Sequence, residues 1–254
     1  YISSTGCLTA GREQAKYALF PYVTDDLLHQ NARYTGPSTH ILVKQNNKEY
    51  LWQPFSDQIE SYKKENSLYK NSLGNKIVFE ETNHSLGLTF LYSWQASSRY
   101  GFVKKTKLIN HSEVKLNVKL IDGLRNILPA GLELRIQQEM SNLANAYKVS
   151  ECNPDYNYAL YYMNALLMDK PDPGESLFSN MVWSFSEEKF ELSVNQKSIN
   201  TFLNDQYFTS DLLIKGKEGS FLNYIEKFLD QDDEMLVHSG GCAKVSIRYS
   251  WNSL

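Results

Sequence analysis

The chain has few cysteines and no long apolar run, and these two shortages limit the classes of protein to which it can belong. Cys7, Cys152 and Cys242 are its three cysteines, and no two of them form a Cys-x-x-Cys pair. At most one disulfide can form and a zinc site is disfavoured. Three thiols favour a reducing compartment, so the cytoplasm is slightly preferred to the periplasm. Since no run approaches the roughly 20 apolar residues that cross a bilayer, no membrane partner is expected.

An excess of charge of one sign is also missing. The formal net charge is −3, and both signs are mixed along the chain. The short basic run Lys104-Lys105-Thr106-Lys107 alternates with a strand period, so it is interpreted as a solvated face and no nucleic-acid partner is expected. The five histidines show neither His-x-His nor His-Glu-x-x-His spacing. Ser239-Gly240-Gly241 is interpreted as a turn, because no strand, loop and helix surround it as a phosphate loop requires. No metal and no cofactor are predicted.

No linker rich in proline, glycine and serine divides the chain. With 254 residues, 42% of them hydrophobic, the chain can bury a large core. We therefore expect one domain over residues 1–254. The chain begins at Tyr1 without methionine and stops after an apparent strand at Trp251, so we also expect it to be a piece of a longer protein.

Alternation of apolar and polar residues is the dominant pattern and is typical of half-buried strands. It predicts hairpins at 39–52, 88–109 and 182–194, and strands at 77–81, 114–122, 156–168 and 242–251. The segment 221–229 fits either a strand or a short helix. About a dozen strands predict a mostly β protein, built as a large antiparallel two-sheet sandwich.

The stretch 114–131 predicts a change from strand to helix. Apolar and polar residues alternate in its first half. Asp122-Gly123-Leu124 follows and is interpreted as the start of a turn-rich loop. Asp122 is therefore predicted to form a turn rather than to act as an acid. An apolar stripe then predicts one main helix over about 132–147.

Several blocks resemble a known family. The block FEETNHSLGLTFLYSWQASSRYGFVKKTKLIN at 79–110 runs directly into IDGLRNILPAG, with YALFPYVTDDLLHQNARYTGPSTHILV upstream and DKPDPGE and MVWS downstream. Together they resemble the N-terminal β domain of bacterial cellobiose phosphorylase-like proteins. The resemblance implies a supersandwich of the galactose mutarotase-like type that precedes an (α/α)6-barrel domain of the same chain. It further implies that catalysis belongs to the barrel, that this domain helps to shape the cleft, and that a homodimer can form.

Carboxylates are common in the chain, but none has a convincing catalytic setting. Glycoside hydrolysis needs two carboxylates that converge on one bond. Glu80 and Glu81 are neighbours on a predicted strand, so their side chains should point to opposite faces. The other adjacent pairs lie in predicted turns or helix caps, and we assign no catalytic residue.

The segment Thr82-Asn83-His84-Ser85 resembles a sugar-binding stretch of aldose mutarotases. Such an enzyme needs an acid and a base to move a proton between the ring oxygen and the anomeric hydroxyl. His111 or His238 would have to be the second histidine, and Glu226 or Glu234 the base. A polar turn between two strands is the simpler interpretation and is preferred.

Aromatic residues are the remaining sign of a saccharide partner, because the apolar faces of sugars stack on aromatic rings. Trp52 stands at the end of a predicted strand and is expected to be exposed, so Trp52, Phe55 and His84 are the candidate carbohydrate-binding residues. Trp94 and Trp251 are expected in the core, and Trp183 is left undecided.

The leading hypothesis is a non-catalytic domain that packs on a glycoside phosphorylase or hydrolase barrel. A mutarotase-like epimerase and a free-standing carbohydrate-binding module are the alternatives.

Overall fold

The protein is built mainly from β-strands. The computed structural model describes residues 2–9, 15–56, 61–165, 177–204, 215–216 and 219–246. The strands are β1 (Gly36–Gln45), β2 (Lys48–Trp52), β3 (Lys64–Lys70), β4 (Lys76–Asn83), β5 (Leu88–Ser97), β6 (Gly101–Asn110), β7 (Leu116–Arg125), β8 (Lys148–Asn153), β9 (Tyr158–Met163), β10 (Phe178–Phe185), β11 (Phe190–Ser193), β12 (Lys215–Gly216), β13 (Phe221–Leu229) and β14 (Glu234–Ser246). The helices are α1 (Asp25–Leu28), α2 (Leu134–Glu139), α3 (Ser141–Tyr147) and α4 (Lys197–Leu203), with short 3₁₀ turns at Ala15–Tyr17, Gln30–Arg33 and Pro154–Tyr156.

The strands form two antiparallel sheets. The large sheet has nine strands in the order β12-β8-β9-β10-β14-β6-β5-β4-β3, and the small sheet has five in the order β11-β13-β7-β1-β2. Strand makes up 51% of the structure and helix 16%, so the predicted mostly β, two-sheet sandwich is confirmed. One apolar cluster joins the sheets and contains the inward residues of both, such as Ile41 and Leu120 from the small sheet and Phe90 and Leu108 from the large sheet.

The predicted hairpins at 39–52 and 88–109 are confirmed, because β1 pairs with β2 and β5 pairs with β6. The predicted hairpin at 182–194 is wrong: β10 lies in the large sheet, whereas β11 lies in the small sheet and pairs with β13. β1 pairs with β2, and the turn between them places Asn46 and Asn47 at φ values of 51° and 59°. Asparagine tolerates this left-handed backbone, which matches the twist of a two-residue hairpin turn. The ambiguous segment 221–229 is strand β13, because it pairs with β7 along its whole length. The predicted strand ends at 166–168 and 247–251 lie outside the described residues.

The predicted helix at 132–147 is broken in two. α2 ends at Glu139, and Met140 leaves helical geometry with φ −132° and ψ 39° before α3 begins. Met140 and Leu143, both placed on the predicted apolar stripe, are 41% and 45% exposed, while Ala144 is buried. The stripe is thus only partly used for packing. None of the helices in the described ranges has the length and apolar character needed to span a bilayer.

The predicted turn at Asp122-Gly123-Leu124 is wrong, because β7 continues through these residues to Arg125. Asp122 pairs with Thr39 of β1 on one side and with Asn223 of β13 on the other. Aspartate and glycine are poor strand formers by local preference, but two flanking strands and a buried set of polar partners override that preference here.

A buried ion pair links the two sheets through the core. Asp122 on β7 and Lys104 on β6 are both fully buried, and the Lys104 Nζ donates to Asp122 Oδ1 at 2.6 Å. Thr39 Oγ1 donates to the same oxygen at 2.6 Å, and Thr106 Oγ1 donates to Asp122 Oδ2 at 2.9 Å. Burial lowers the pKa of the Lys104 ammonium, and the adjacent carboxylate opposes that shift. Asp122 therefore does not form a turn, and it is not exposed to a substrate. Its two carboxylate oxygens accept hydrogen bonds from residues of both sheets.

Helix α4 covers part of the outer face of the small sheet. Ile199 and Phe202 pack on Leu42, Ile121 and Leu222, which point away from the main core. This contact places the start of α4 beside the N-terminal half of β1 and the C-terminal end of β7.

Candidate functional site

The structure brings Trp52 and Phe55 together, but in the core rather than on the surface. Trp52 is only 1% exposed, so the prediction of an exposed ring there is wrong. Its indole Nε1 donates to Glu81 Oε1 at 2.7 Å, and the backbone N–H of Phe55 donates to Glu81 Oε2 at 2.8 Å. Glu81 is itself fully buried. The bond to Glu81 satisfies the indole N–H of Trp52 in the core, where water cannot reach it.

Phe55 completes an aromatic cluster on the inner face of the large sheet. Its ring lies edge-on to Phe79, Phe90 and Tyr92, with centroids 6.3, 6.2 and 5.4 Å away. Its backbone has a φ of 61°, which the hydrogen bond to Glu81 and these ring contacts hold in place. The ring is partly buried and packs against the core. Saccharide contact at Trp52 or Phe55 stays a prediction, and the packing described here gives it no support.

His84 lies on the surface, in the polar turn that the sequence favoured. The side-chain Oδ1 of Asn83 accepts hydrogen bonds from the backbone N–H groups of Ser85 and Leu86, which closes the turn between β4 and β5. The His84 side chain is 43% exposed, and its Nε2 lies 3.4 Å from Glu65 Oε2. His84 is accessible to a ligand, and its role in sugar binding stays a prediction.

A second Asn-His-Ser turn follows β6 beside the first. Asn110 Oδ1 accepts from the backbone N–H of Ser112, as Asn83 does in the first turn. His111 donates its backbone N–H to the carbonyl of Gly87 at 2.8 Å, so the two turns are in contact. The side chain of His111 is nearly half exposed and lies 3.9 Å from Asp232. The two turns therefore place both histidines at the same end of the large sheet.

The other residues that a mutarotase-like site would need do not join His84. Glu226 lies on β13 of the small sheet, where it accepts hydrogen bonds from Asn117 and Tyr224. Glu234 begins β14 and forms an ion pair with Lys107. Since β6 and β5 separate β14 from β4, Glu234 lies roughly 14 Å from β4 at normal strand spacing. Neither proposed base reaches the His84 turn.

A different aromatic group lies on the outer face of the large sheet. It consists of Tyr100, Trp183, Phe185 and His238, and we term it the Trp183 surface. On β10, Val182 and Ser184 are buried, whereas Trp183 and Phe185 point outward. Tyr100 is 49% exposed and Phe185 57% exposed. Solvent faces of antiparallel sheets are usually polar, so several rings on such a face indicate a contact surface.

Gly240 allows the Trp183 ring to approach the backbone of β14 closely. The two residues face each other across β10 and β14, and a Cβ atom on Gly240 would come within 2.3 Å of the indole. Tyr100 contacts the same indole edge-on, with centroids 5.8 Å apart. The interpretation of Ser239-Gly240-Gly241 as a turn is wrong, because all three residues lie within β14. A glycine inside a strand often marks a close approach of another group, and this signal could have pointed to Trp183.

Charges of both signs lie beside the Trp183 surface. His238 lies opposite Phe185 on one side and opposite Lys105 of β6 on the other, and the Arg99 guanidinium lies 5.4 Å from the centroid of the Tyr100 ring. Partial burial and the positive charge of Lys105 lower the pKa of His238, and the negative charge of Glu187 opposes that shift. A neutral imidazole beside exposed rings is suited to a polar, uncharged partner such as a sugar hydroxyl.

Comparison with known proteins finds similarity in structure only. No protein-family model matches the chain, and no curated protein matches its sequence. A solved polysaccharide lyase is 8% identical with a TM-score of 0.52 over 96% of this chain and 31% of its own. A protein named as a kojibiose phosphorylase from the human microbiome is 8% identical with a TM-score of 0.40 over 80% of this chain and 22% of its own. A heparan sulfate lyase from Pedobacter heparinus is 13% identical with a TM-score of 0.35 over 92% of this chain and 29% of its own.

These neighbours are carbohydrate-active enzymes, and the chain spans less than a third of each of them. The polysaccharide lyase shows that the two-sheet fold described above also occurs as one part of a larger enzyme. Within the residues described by the structure, no three histidine, cysteine, aspartate or glutamate side chains are grouped so that they could hold a metal ion.

Proposed function

We propose that this chain is a non-catalytic domain of the galactose mutarotase-like type from a carbohydrate-active enzyme, and that it packs on an (α/α)6-barrel domain and helps to shape its cleft. One observation carries the proposal: nearly the whole chain superposes on less than a third of a polysaccharide lyase. The environment of the buried carboxylates adds support. Both oxygens of Glu81 and both oxygens of Asp122 are held by groups of the sandwich itself, so neither residue is available to a substrate.

The isolated chain is expected to turn over no saccharide. The assays are release of reducing ends from polysaccharides, phosphorolysis of disaccharides, and polarimetry of α-glucose and α-galactose. His84→Ala provides the control in polarimetry, because it removes the exposed histidine without touching the core. Rates equal to buffer for both proteins are expected. An enzyme-like rate that the His84→Ala variant loses would instead establish a mutarotase-like epimerase, and any other enzyme-like rate would also overturn the proposal.

A saccharide-binding function is the second candidate, and the Trp183 surface favours it. The indole packs closely against Gly240 and contacts the Tyr100 ring edge-on, so the rings are held in fixed positions before a ligand arrives. Rigid aromatic rings lose little conformational entropy when a ligand stacks on them, which makes a preformed surface an efficient binder.

Trp183→Ala is expected to weaken saccharide binding about tenfold, which corresponds to about 1.4 kcal/mol. Isothermal titration calorimetry with neutral oligosaccharides measures the change. Phe228→Ala is the control for the loss of an aromatic ring from a sheet surface, because Phe228 is 57% exposed but lies on β13 of the small sheet. Equal affinities of the two variants, or no binding across a broad panel, would remove this candidate.

A further inference from the structure

A polar cavity lies on the outer face of the small sheet, opposite the sheet that carries the Trp183 surface. It has a volume of about 300 Å³ and opens beside the start of α4. Its lining residues come from β1, β7 and the α4 region, and they are His40, Arg125, Gln196, Lys197, Ile199 and Asn200. The packing of Ile199 and Phe202 on the sheet fixes the wall that α4 contributes. The cavity is therefore bounded by regular structure on each side.

His40 is the buried polar group in this cavity. It is 8% exposed, and its buried Nδ1 has no hydrogen-bond partner in the described ranges of the chain. Burial, together with the charge of Arg125, lowers the pKa of His40 to about 4, so the imidazole is neutral at pH 7. A neutral imidazole carries one N–H donor and one acceptor, and a ligand can select which nitrogen holds the proton.

Arg125 supplies a partly buried positive charge to the cavity. It lies at the end of β7, and its buried Nε has no hydrogen-bond partner among the residues that the structure describes. Burial lowers the pKa of its guanidinium. No ion pair of Arg125 exists within the part of the chain that the structure describes. A partly buried cation is costly unless an anion compensates it, so this position favours an anionic ligand.

Lys197 adds a second positive charge at the mouth of the cavity. It is exposed at the first position of α4, whereas Gln196 and Asn200 beside it bear uncharged amides. Among the described residues, the lining thus holds two cations and one neutral histidine but no acidic side chain. The planar guanidinium of an arginine offers parallel N–H groups that match the two oxygens of a carboxylate or sulfate.

We propose that this cavity is a binding site for a small oxyanion, a carboxylate or a sulfate group. The Arg125 guanidinium holds the oxyanion, an N–H of His40 donates to it from the cavity wall, and the Lys197 ammonium attracts it at the mouth. The proposal is independent of the function proposed above, since it rests on the lining of a cavity in the small sheet and not on the Trp183 surface.

Titration calorimetry of the intact protein tests the site, with sodium sulfate, sodium acetate, sodium glucuronate and glucose at constant ionic strength set by sodium chloride. Saturable binding of at least one oxyanion is expected, and none of glucose at this site. Glucuronate binding more tightly than acetate would identify the anion as part of a saccharide, whereas equal affinities, or a preference for sulfate, would identify a free oxyanion. Absence of saturable binding for all three anions would overturn the proposal.

Variants of the lining locate the binding. Arg125→Gln is expected to weaken oxyanion binding at least tenfold. Lys197→Gln, at an exposed position that does not endanger folding, is expected to weaken it about threefold. Lys44→Gln is the matched control: Lys44 is exposed on β1, on the same face as His40, roughly 13 Å further along the strand. Binding that is as strong in Arg125→Gln and Lys197→Gln as in Lys44→Gln would contradict the assignment.

Discussion

Asp122→Ala is expected to lower the free energy of unfolding by about 3–5 kcal/mol, because it leaves the Lys104 ammonium buried without its counter-charge. The pair lies between the sheets with no exposure to water, and the two threonines that also bind Asp122 lose their acceptor in the same change. Urea denaturation followed by circular dichroism measures the loss. Lys104→Met should be similarly destabilising, since it leaves the Asp122 carboxylate buried without its positively charged partner.

The double variant Lys104→Met/Asp122→Leu distinguishes two contributions to the free energy of unfolding: the cost of leaving one buried charge unpaired, and the net stabilisation by the ion pair. Replacing both partners of a buried ion pair with apolar residues of similar size is often close to neutral. We therefore expect the double variant to be more stable than either single variant. If the losses of the two single variants simply added in the double variant, the two side chains would not be coupled in the way their 2.6 Å contact implies.

Trp52→Ala is expected to destabilise the protein by about 3–5 kcal/mol, the usual cost of removing a large aromatic side chain from a core. The prediction follows from the burial of Trp52 and its bond to Glu81, whereas an exposed sugar-binding ring would have cost little stability. Thermal and urea denaturation of the variant give the measurement. A loss below about 1 kcal/mol would be inconsistent with the buried position.

Trp94→Phe is a matched control for the hydrogen bond to Glu81. Trp94 is also buried, at 3% exposure, but its indole Nε1 has no hydrogen-bond partner within the part of the chain that the structure describes. Trp52→Phe and Trp94→Phe delete the same atoms, yet only the first leaves a buried carboxylate oxygen without its donor. We expect Trp52→Phe to cost about 1–3 kcal/mol more than Trp94→Phe, the penalty for an unsatisfied buried group. Equal costs would mean that the bond to Glu81 contributes nothing.

Local sequence patterns were sufficient to predict many of the strands. The apolar residues of β5, such as Phe90 and Trp94, lie in the core, and Asn46-Asn47 has the residues that its turn requires. The pattern failed on β6, where Lys104 was predicted on a solvated face but is fully buried. It also failed at Asp122-Gly123, which locally favour a turn. Only partners supplied by β1, β6 and β13 turn that segment into a central strand, and those partners are distant in the chain.

The candidate sites were harder to predict because each joins distant residues. The inward position of Trp52 is satisfied by Glu81, on another strand, which accepts a hydrogen bond from its indole N–H. Trp183 needs Gly240, from the last strand of the described chain, in order to pack closely on the sheet. His40 and Arg125 face one cavity only after β1 and β7 have paired. His84 was placed correctly in a turn because Asn83 forms that turn locally.

The bond between Lys104 and Asp122 also limits how this protein can change over generations. The two residues belong to different sheets. If either lost its charge alone, the other would be left as an unpaired charge in the core. Two apolar residues could fill the same space, but a single mutation cannot reach that state, and each single step passes through a protein that has lost much of its marginal stability. Selection against that intermediate would therefore preserve the pair, even in a descendant that gained nothing from it.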